Sequence, residues 1–232
     1  MKHPLILASL TALLCGGLQA YGQSVTFDFA DGQPDGWANS GFGGTPAPTV
    51  SNFGGTNFIF LARNPGNPPT TPADFQVGNV SAGNNGSAFY NAMKAAAANP
   101  SGYVLSYNWR VDTSTFGANP GTFLQLGAFV NTGSGFYAQD ASEVQLSQAQ
   151  VTSGQVFTGT VSVNMGAVGF NMPAADTFFR LGLIENSDTT DVIGAYFTHI
   201  SVAPIPEPSS FALFGLALPA FWMMRRRFSG RR

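Results

Sequence analysis

Tyr103-Val104-Leu105-Ser106-Tyr107-Asn108-Trp109-Arg110-Val111 sets a large apolar residue at every second position. Successive side chains of a strand point to opposite faces, so Tyr103, Leu105, Tyr107, Trp109 and Val111 share one face, which is assigned to the core. Similar runs lie at 24–30, 58–63, 122–131, 143–147, 155–163, 177–184 and 193–202, and clusters of Gly, Asn, Pro, Ser and Thr separate them. Many short alternating runs punctuated by turn residues predict strands. One segment breaks the pattern. Residues 88–98 hold Met93, Lys94 and four consecutive alanines before Asn99-Pro100, which predicts one short helix with a sharp stop. The stretches 31–57 and 64–72, rich in Gly and Pro, are expected to be loops. The fold expected for residues 23–203 is all-β, a two-sheet antiparallel sandwich of jelly-roll type with one short helix.

Charge separates the middle of the 232-residue chain from its ends. Lys2 stands alone at the start, and Arg225, Arg226, Arg227, Arg231 and Arg232 crowd the end without an acid beside them. Between them all 12 acids face only Arg63, Lys94, Arg110 and Arg180. Phosphate contacts need Lys and Arg, so this middle is a poor nucleic-acid binder.

Each end reads as an address. Lys2 and His3 precede an apolar run from Leu5 to Leu18, and Ala20 and Gly22 supply the small residues that signal peptidase requires. Residues 1–22 are therefore expected to be a secretory signal peptide. Cys15, the one cysteine, leaves with it, so no disulfide stabilises the mature chain. The other end runs Pro206-Glu207-Pro208-Ser209-Ser210, then an uncharged apolar stretch at 211–224, then a basic tail at 225–232. Two prolines around Glu207 favour an extended peptide open to an enzyme. A helix over 211–224 would span about 21 Å, short of the ~30 Å hydrocarbon core, a deficit that Ser209, Ser210 and snorkelling arginines would cover. Arg225, Arg226 and Arg227 would hold that end in the cytoplasm as a stop, leaving the middle outside.

These three features, in this order, resemble the PEP-CTERM sorting signal of Gram-negative bacteria that make exopolysaccharide. The resemblance covers residues 204–232. It implies recognition of Pro206, Glu207 and Pro208 by exosortase, a membrane enzyme of transpeptidase type, with transient anchoring by the apolar helix before cleavage. Pro219 inside the helix and the extra residues 228–232 depart mildly from the usual pattern. An unprocessed membrane anchor is the plainer alternative.

A second resemblance lies at the edges of the middle domain. Val25-Thr26-Phe27-Asp28-Phe29-Ala30-Asp31-Gly32 and Ala195-Tyr196-Phe197-Thr198-His199-Ile200-Ser201-Val202 are similar to the first and last strands of carbohydrate-binding-module-like jelly rolls. Such domains often close on Tyr-Phe-Asp-Asn-Ile-Ser-Val. Here Thr198 and His199 replace the Asp-Asn pair, which removes the metal contact that pair would make.

The inventory of reactive residues is thin. After signal-peptide removal His199 is the only histidine and cysteine is absent, which excludes a His/Cys zinc site and a cysteine nucleophile. Glycoside hydrolysis needs two facing carboxylates, and no spacing among Glu143, Glu185 and the aspartates marks such a pair. The chain is therefore expected not to be an enzyme. Asp28, Asp31 and Asp35, close together with Gly32 and Gly36, offer clustered oxygens for a structural calcium, with Asp191 or another distant oxygen as a further ligand, or simply make a solvated turn. No other cofactor is indicated. Trp37, in a glycine-rich loop, is the candidate for stacking on a sugar ring, while Trp109 belongs to the core face. The expected function is an exported, exosortase-sorted envelope or extracellular-matrix protein with a structural or adhesive role beside exopolysaccharide. The alternative is a carbohydrate-binding module with a sugar site at Trp37.

Overall fold

The computed structural model describes residues 22–39, 47–62, 77–80, 88–133, 135–138, 140–171, 179–189, 191 and 193–205. The signal peptide, the loop at 64–72, the sorting motif, the apolar stretch and the basic tail lie outside them. Among the described residues no helix is long and apolar enough to cross a membrane.

Gly22–Pro204 make up a sandwich of two antiparallel sheets. The strands are β1 (Val25–Phe27), β2 (Ala38–Asn39), β3 (Thr49–Phe53), β4 (Thr56–Ala62), β5 (Val77–Val80), β6 (Tyr103–Asp112), β7 (Phe123–Thr132), β8 (Gly135–Tyr137), β9 (Val144–Ser147), β10 (Val156–Asn164), β11 (Phe179–Ser187) and β12 (Gly194–Pro204). The first sheet runs β10-β6-β12-β4-β3, with β1 beside β12; the second runs β2-β5-β11-β7-β8, with β9 beside β7. The two resembling edge segments meet directly, because β1 pairs with the end of β12, Phe27 opposite Ile200 and Val25 opposite Val202.

Strand β6 follows its alternation. Tyr103, Leu105, Tyr107 and Val111 are buried, facing Leu124, Leu126 and Val130 of β7 and Leu181 and Leu183 of β11 in one apolar core. Trp109 is only half-buried and packs at the rim of that core. The helix α1 (Ala88–Ala98) buries Phe89, Tyr90, Ala92, Met93 and Ala96, a stripe of helical period. Phe89 meets Phe27 edge-on at 5.8 Å, which docks α1 on β1. Pro100 then starts a 3-10 turn, as a residue without an amide hydrogen can at such a position.

The loop expected over 31–57 holds two strands instead. Thr49-Val50-Ser51-Asn52-Phe53 pairs along β4 from Thr49 opposite Phe60 to Phe53 opposite Thr56. Gly54 (φ 60°) and Gly55 (φ 88°) form the two-residue turn between them. Positive φ at both positions is what a hairpin turn matching the strand twist demands.

Candidate functional site: an aromatic platform on the outer face of the first sheet

In β4, Ile59 and Leu61 are buried while Phe58 and Phe60 are half-buried on the opposite, outer face. Tyr196 of β12 lies opposite both Phe60 and Arg110 of β6, which brings it to the same face. The rings interlock: Phe60 lies 4.5 Å from Tyr196, Phe53 stands edge-on to Tyr196 at 4.8 Å, and Phe53 meets Phe58 at 5.8 Å. Arg110 lays its guanidinium over the Phe53 ring, 4.5 Å from the centroid. Its Nη2 also reaches Asp112 at 3.3 Å. Arg110 Nε and Thr198 Oγ1 are both buried without a hydrogen-bond partner. Thr198 follows Tyr196 by two positions on β12 and pairs with Asn108.

Polar side chains continue the platform toward β10. Thr160 donates to Asn108 Oδ1 at 2.8 Å, and the Ser106 and Ser201 hydroxyls lie 2.8 Å apart. One face thus offers rings, a cation, a carboxylate, an amide and hydroxyls. Burial is the main cause that pushes the Tyr196 phenol above its ordinary value; Asp112 adds to it and Arg110 opposes it. The hydroxyl therefore stays protonated and able to donate across the physiological range.

The residues singled out in the sequence lie elsewhere. Trp37 is 3% exposed and stands edge-on to Phe27 at 5.4 Å. Its backbone N–H donates to Pro34 at 2.7 Å, which folds the glycine-rich turn back over the core. No ring face is left for a sugar, so Trp37 is a packing residue. Asp28 and Asp31 each accept from a backbone N–H two residues on, those of Ala30 and Gln33. Burial, then repulsion from Asp31 and Asp28, raises the Asp35 carboxyl. The three acids therefore sense one another, yet among the described residues no three acidic, histidine or cysteine side chains converge to hold a metal. Asp191, the distant candidate, accepts from the Asn119 N–H at 2.7 Å. His199 is exposed, with φ 49°, at the bulge of β12.

Among the described residues no three carboxylates gather elsewhere either. Glu185 is fully buried on the strand position opposite Leu126, facing the core. A cavity of about 230 Å³ at one end of the sandwich is lined by Thr113, Ser114, Phe116, Thr152 and Gly154, without an acid.

Alternation contained a signal for the platform. Thr56-Asn57-Phe58-Ile59-Phe60-Leu61-Ala62 is apolar on both faces, although only one can face the other sheet. Such a strand announces an aromatic patch on the outside.

No protein-family model matches the chain, and no curated protein resembles it in sequence. Among solved structures it is similar to a carbohydrate-binding module of family 28 specific for non-crystalline cellulose, at a TM-score of 0.54 and 9% identity, over 77% of this chain and 94% of that one. It is also similar to the C-terminal family 22 carbohydrate-binding module of Clostridium thermocellum Xyn10B, at a TM-score of 0.48 and 14% identity, over 81% of this chain and 98% of that one. The first of these likenesses establishes that Gly22–Pro204 has the β-sandwich fold seen in carbohydrate-binding modules, as the closing-strand resemblance implied.

Proposed function

We propose that residues 23–203 form a non-catalytic carbohydrate-binding domain of an exported protein, with the sugar lying along the outer face of the first sheet. The observation that carries this reading is the half-buried cluster of Phe53, Phe58, Phe60 and Tyr196 beside Arg110 and Asp112. Aromatic rings pack on the apolar faces of pyranoses, and neighbouring amide, hydroxyl and charged groups fix the hydroxyls. The fold shared with a cellulose-specific module supports the same class of ligand.

The test is calorimetric titration with soluble cello-, xylo- and manno-oligosaccharides and with exopolysaccharide from the producing cells. Tyr196→Ala and Phe60→Ala are expected to weaken binding about tenfold or more each, the loss of roughly one stacking contact. Binding unaffected by either change would move the site elsewhere. No binding to any glycan would refute the function.

The chain ends support a location for this domain. Signal-peptide cleavage near residue 22 and exosortase recognition of Pro206, Glu207 and Pro208 would place it in the outer envelope or matrix, beside polysaccharide. Arg225, Arg226 and Arg227 would hold the precursor in the membrane until cleavage. Glu207→Ala should retain the uncut chain in membranes, read by fractionation and intact mass; identical masses and distribution would dismiss processing at this motif.

A further inference from the structure

We infer that β10 is a self-association edge, through which two copies of this chain pair antiparallel about a two-fold axis at Gly159. This inference is independent of the sugar reading.

Among the described residues β10 ends the first sheet and pairs with β6 alone. Its inward hydrogen bonds can be assigned by parity. Just before it, the Thr113 N–H donates to the Gln155 carbonyl at 2.9 Å, and just after it the Met165 N–H donates to the Tyr103 carbonyl at 3.0 Å. The register between these points is unbroken from Val156 opposite Asp112 to Asn164 opposite Val104. Antiparallel partners exchange hydrogen bonds at alternate pairs, so the odd-numbered residues of β10 are bonded to β6. The N–H and C=O of Val156, Thr158, Thr160 and Ser162 therefore point away from the sheet. All four residues are exposed, Val156 by 46%.

Natural edges are blunted by lysine, proline, bulges or brevity. Val156-Phe157-Thr158-Gly159-Thr160-Val161-Ser162-Val163-Asn164 has no charge, no proline and no register shift, and it is nine residues long. It is also self-complementary. With Gly159 on the axis, Thr158 falls opposite Thr160 of the second copy and Val156 opposite Ser162, so the outward groups of both edges meet in hydrogen-bonded pairs. Threonine pairs across strands are favourable, and no like charges oppose each other. On the inner side Phe157 falls opposite Val161, two half-buried apolar residues that extend the core seam. Gly159 suits the axis. The Trp109 indole already occupies the space of its missing side chain, since a Cβ there would lie 2.7 Å from Nε1.

The occupant is a second copy because this register matches the strand to itself. The experiment is light scattering on the full chain in mild detergent, from low micromolar to near-millimolar concentration, for wild type and edge variants. The wild type should double in mass. Thr158→Pro removes an N–H that the protomer does not use, so it should raise the dimer dissociation constant about tenfold or more while circular dichroism and melting stay unchanged. The pair Thr158→Lys with Thr160→Lys should abolish dimers, and Thr158→Glu with Thr160→Lys, which sets Glu opposite Lys, should restore them. A single protomer mass at every concentration, a dimer indifferent to Thr158→Pro, or equal weakness of both charge variants would overturn the proposal.

Discussion

The Tyr107 phenol of β6 donates to the Ser142 carbonyl at 2.5 Å, and through it the first sheet is tied to the second. Ser142 belongs to the turn before β9, and its hydroxyl both donates to the Ala128 carbonyl at 2.5 Å and accepts from the Ala128 N–H at 2.8 Å. A buried carbonyl that loses its donor keeps the full desolvation cost. Tyr107→Phe is therefore expected to cost about 1–3 kcal/mol by denaturant unfolding.

The same phenol gives an alkaline signature. Burial, with Glu143 as the smaller cause, raises the Tyr107 hydroxyl well above its ordinary value, and burial raises Tyr103 as well. The folded state then holds protons that the unfolded state releases above about pH 10. Stability is complete below that value and falls as pH climbs from it toward the folded value. Melting curves should turn downward there, and Tyr107→Phe should flatten the decline.

Gly182 of β11 lies opposite Phe129 of β7, and an added Cβ would collide with that ring. Phe129 is fully buried. Gly182→Ala is expected to destabilise by about 1–3 kcal/mol, the usual cost of overpacking. Combining it with Phe129→Leu should cost less than the sum of the two, measurable in a double-mutant cycle.

His199 sits with φ 49° where β12 slips register between Thr198 and Ser201. Before the slip Ala195 and Phe197 face the core; after it Ile200 and Val202 do. The bulge thus keeps both halves of β12 apolar-inward. A β-branched residue resists this backbone region, whereas Asn and Gly adopt it readily. His199→Val should cost about 1–2 kcal/mol, while His199→Asn should be neutral or stabilising.

Two aspartates respond to acid with opposite signs. Burial works to raise the Asp188 carboxyl, but hydrogen bonds from the Thr122 hydroxyl and N–H, both 2.6 Å, leave it lowered. Its contribution is present above the ordinary value of about 3.9 and is lost as pH falls below it, so Asp188→Asn should remove part of the acid limb. Asp35 is raised and weakens the fold once ionised. Asp35→Asn relieves the repulsion and suits φ 47°, and should stabilise at neutral pH by up to about 0.5 kcal/mol. Calcium addition should leave the wild-type midpoint unchanged.

Local pattern by itself determined much of this sandwich. Strict alternation fixed β6 over Tyr103–Asp112, and alanines closed by Asn99-Pro100 fixed α1 over Ala88–Ala98, because both signals lie within a few residues of the chain. The Gly54-Gly55 hairpin was legible in the same way, though masked by the surrounding glycines and prolines. The burial of Trp37 was not, since a glycine-rich flank describes a turn without saying whether the turn folds outward or back onto Phe27. The platform was decided only by tertiary structure. Phe53, Phe60, Arg110 and Tyr196 come from four strands, and strand order and register bring them within ring contact. Alternation states which residues share a face of one strand; which faces become neighbours depends on long-range pairing, whose energy no local window of sequence contains.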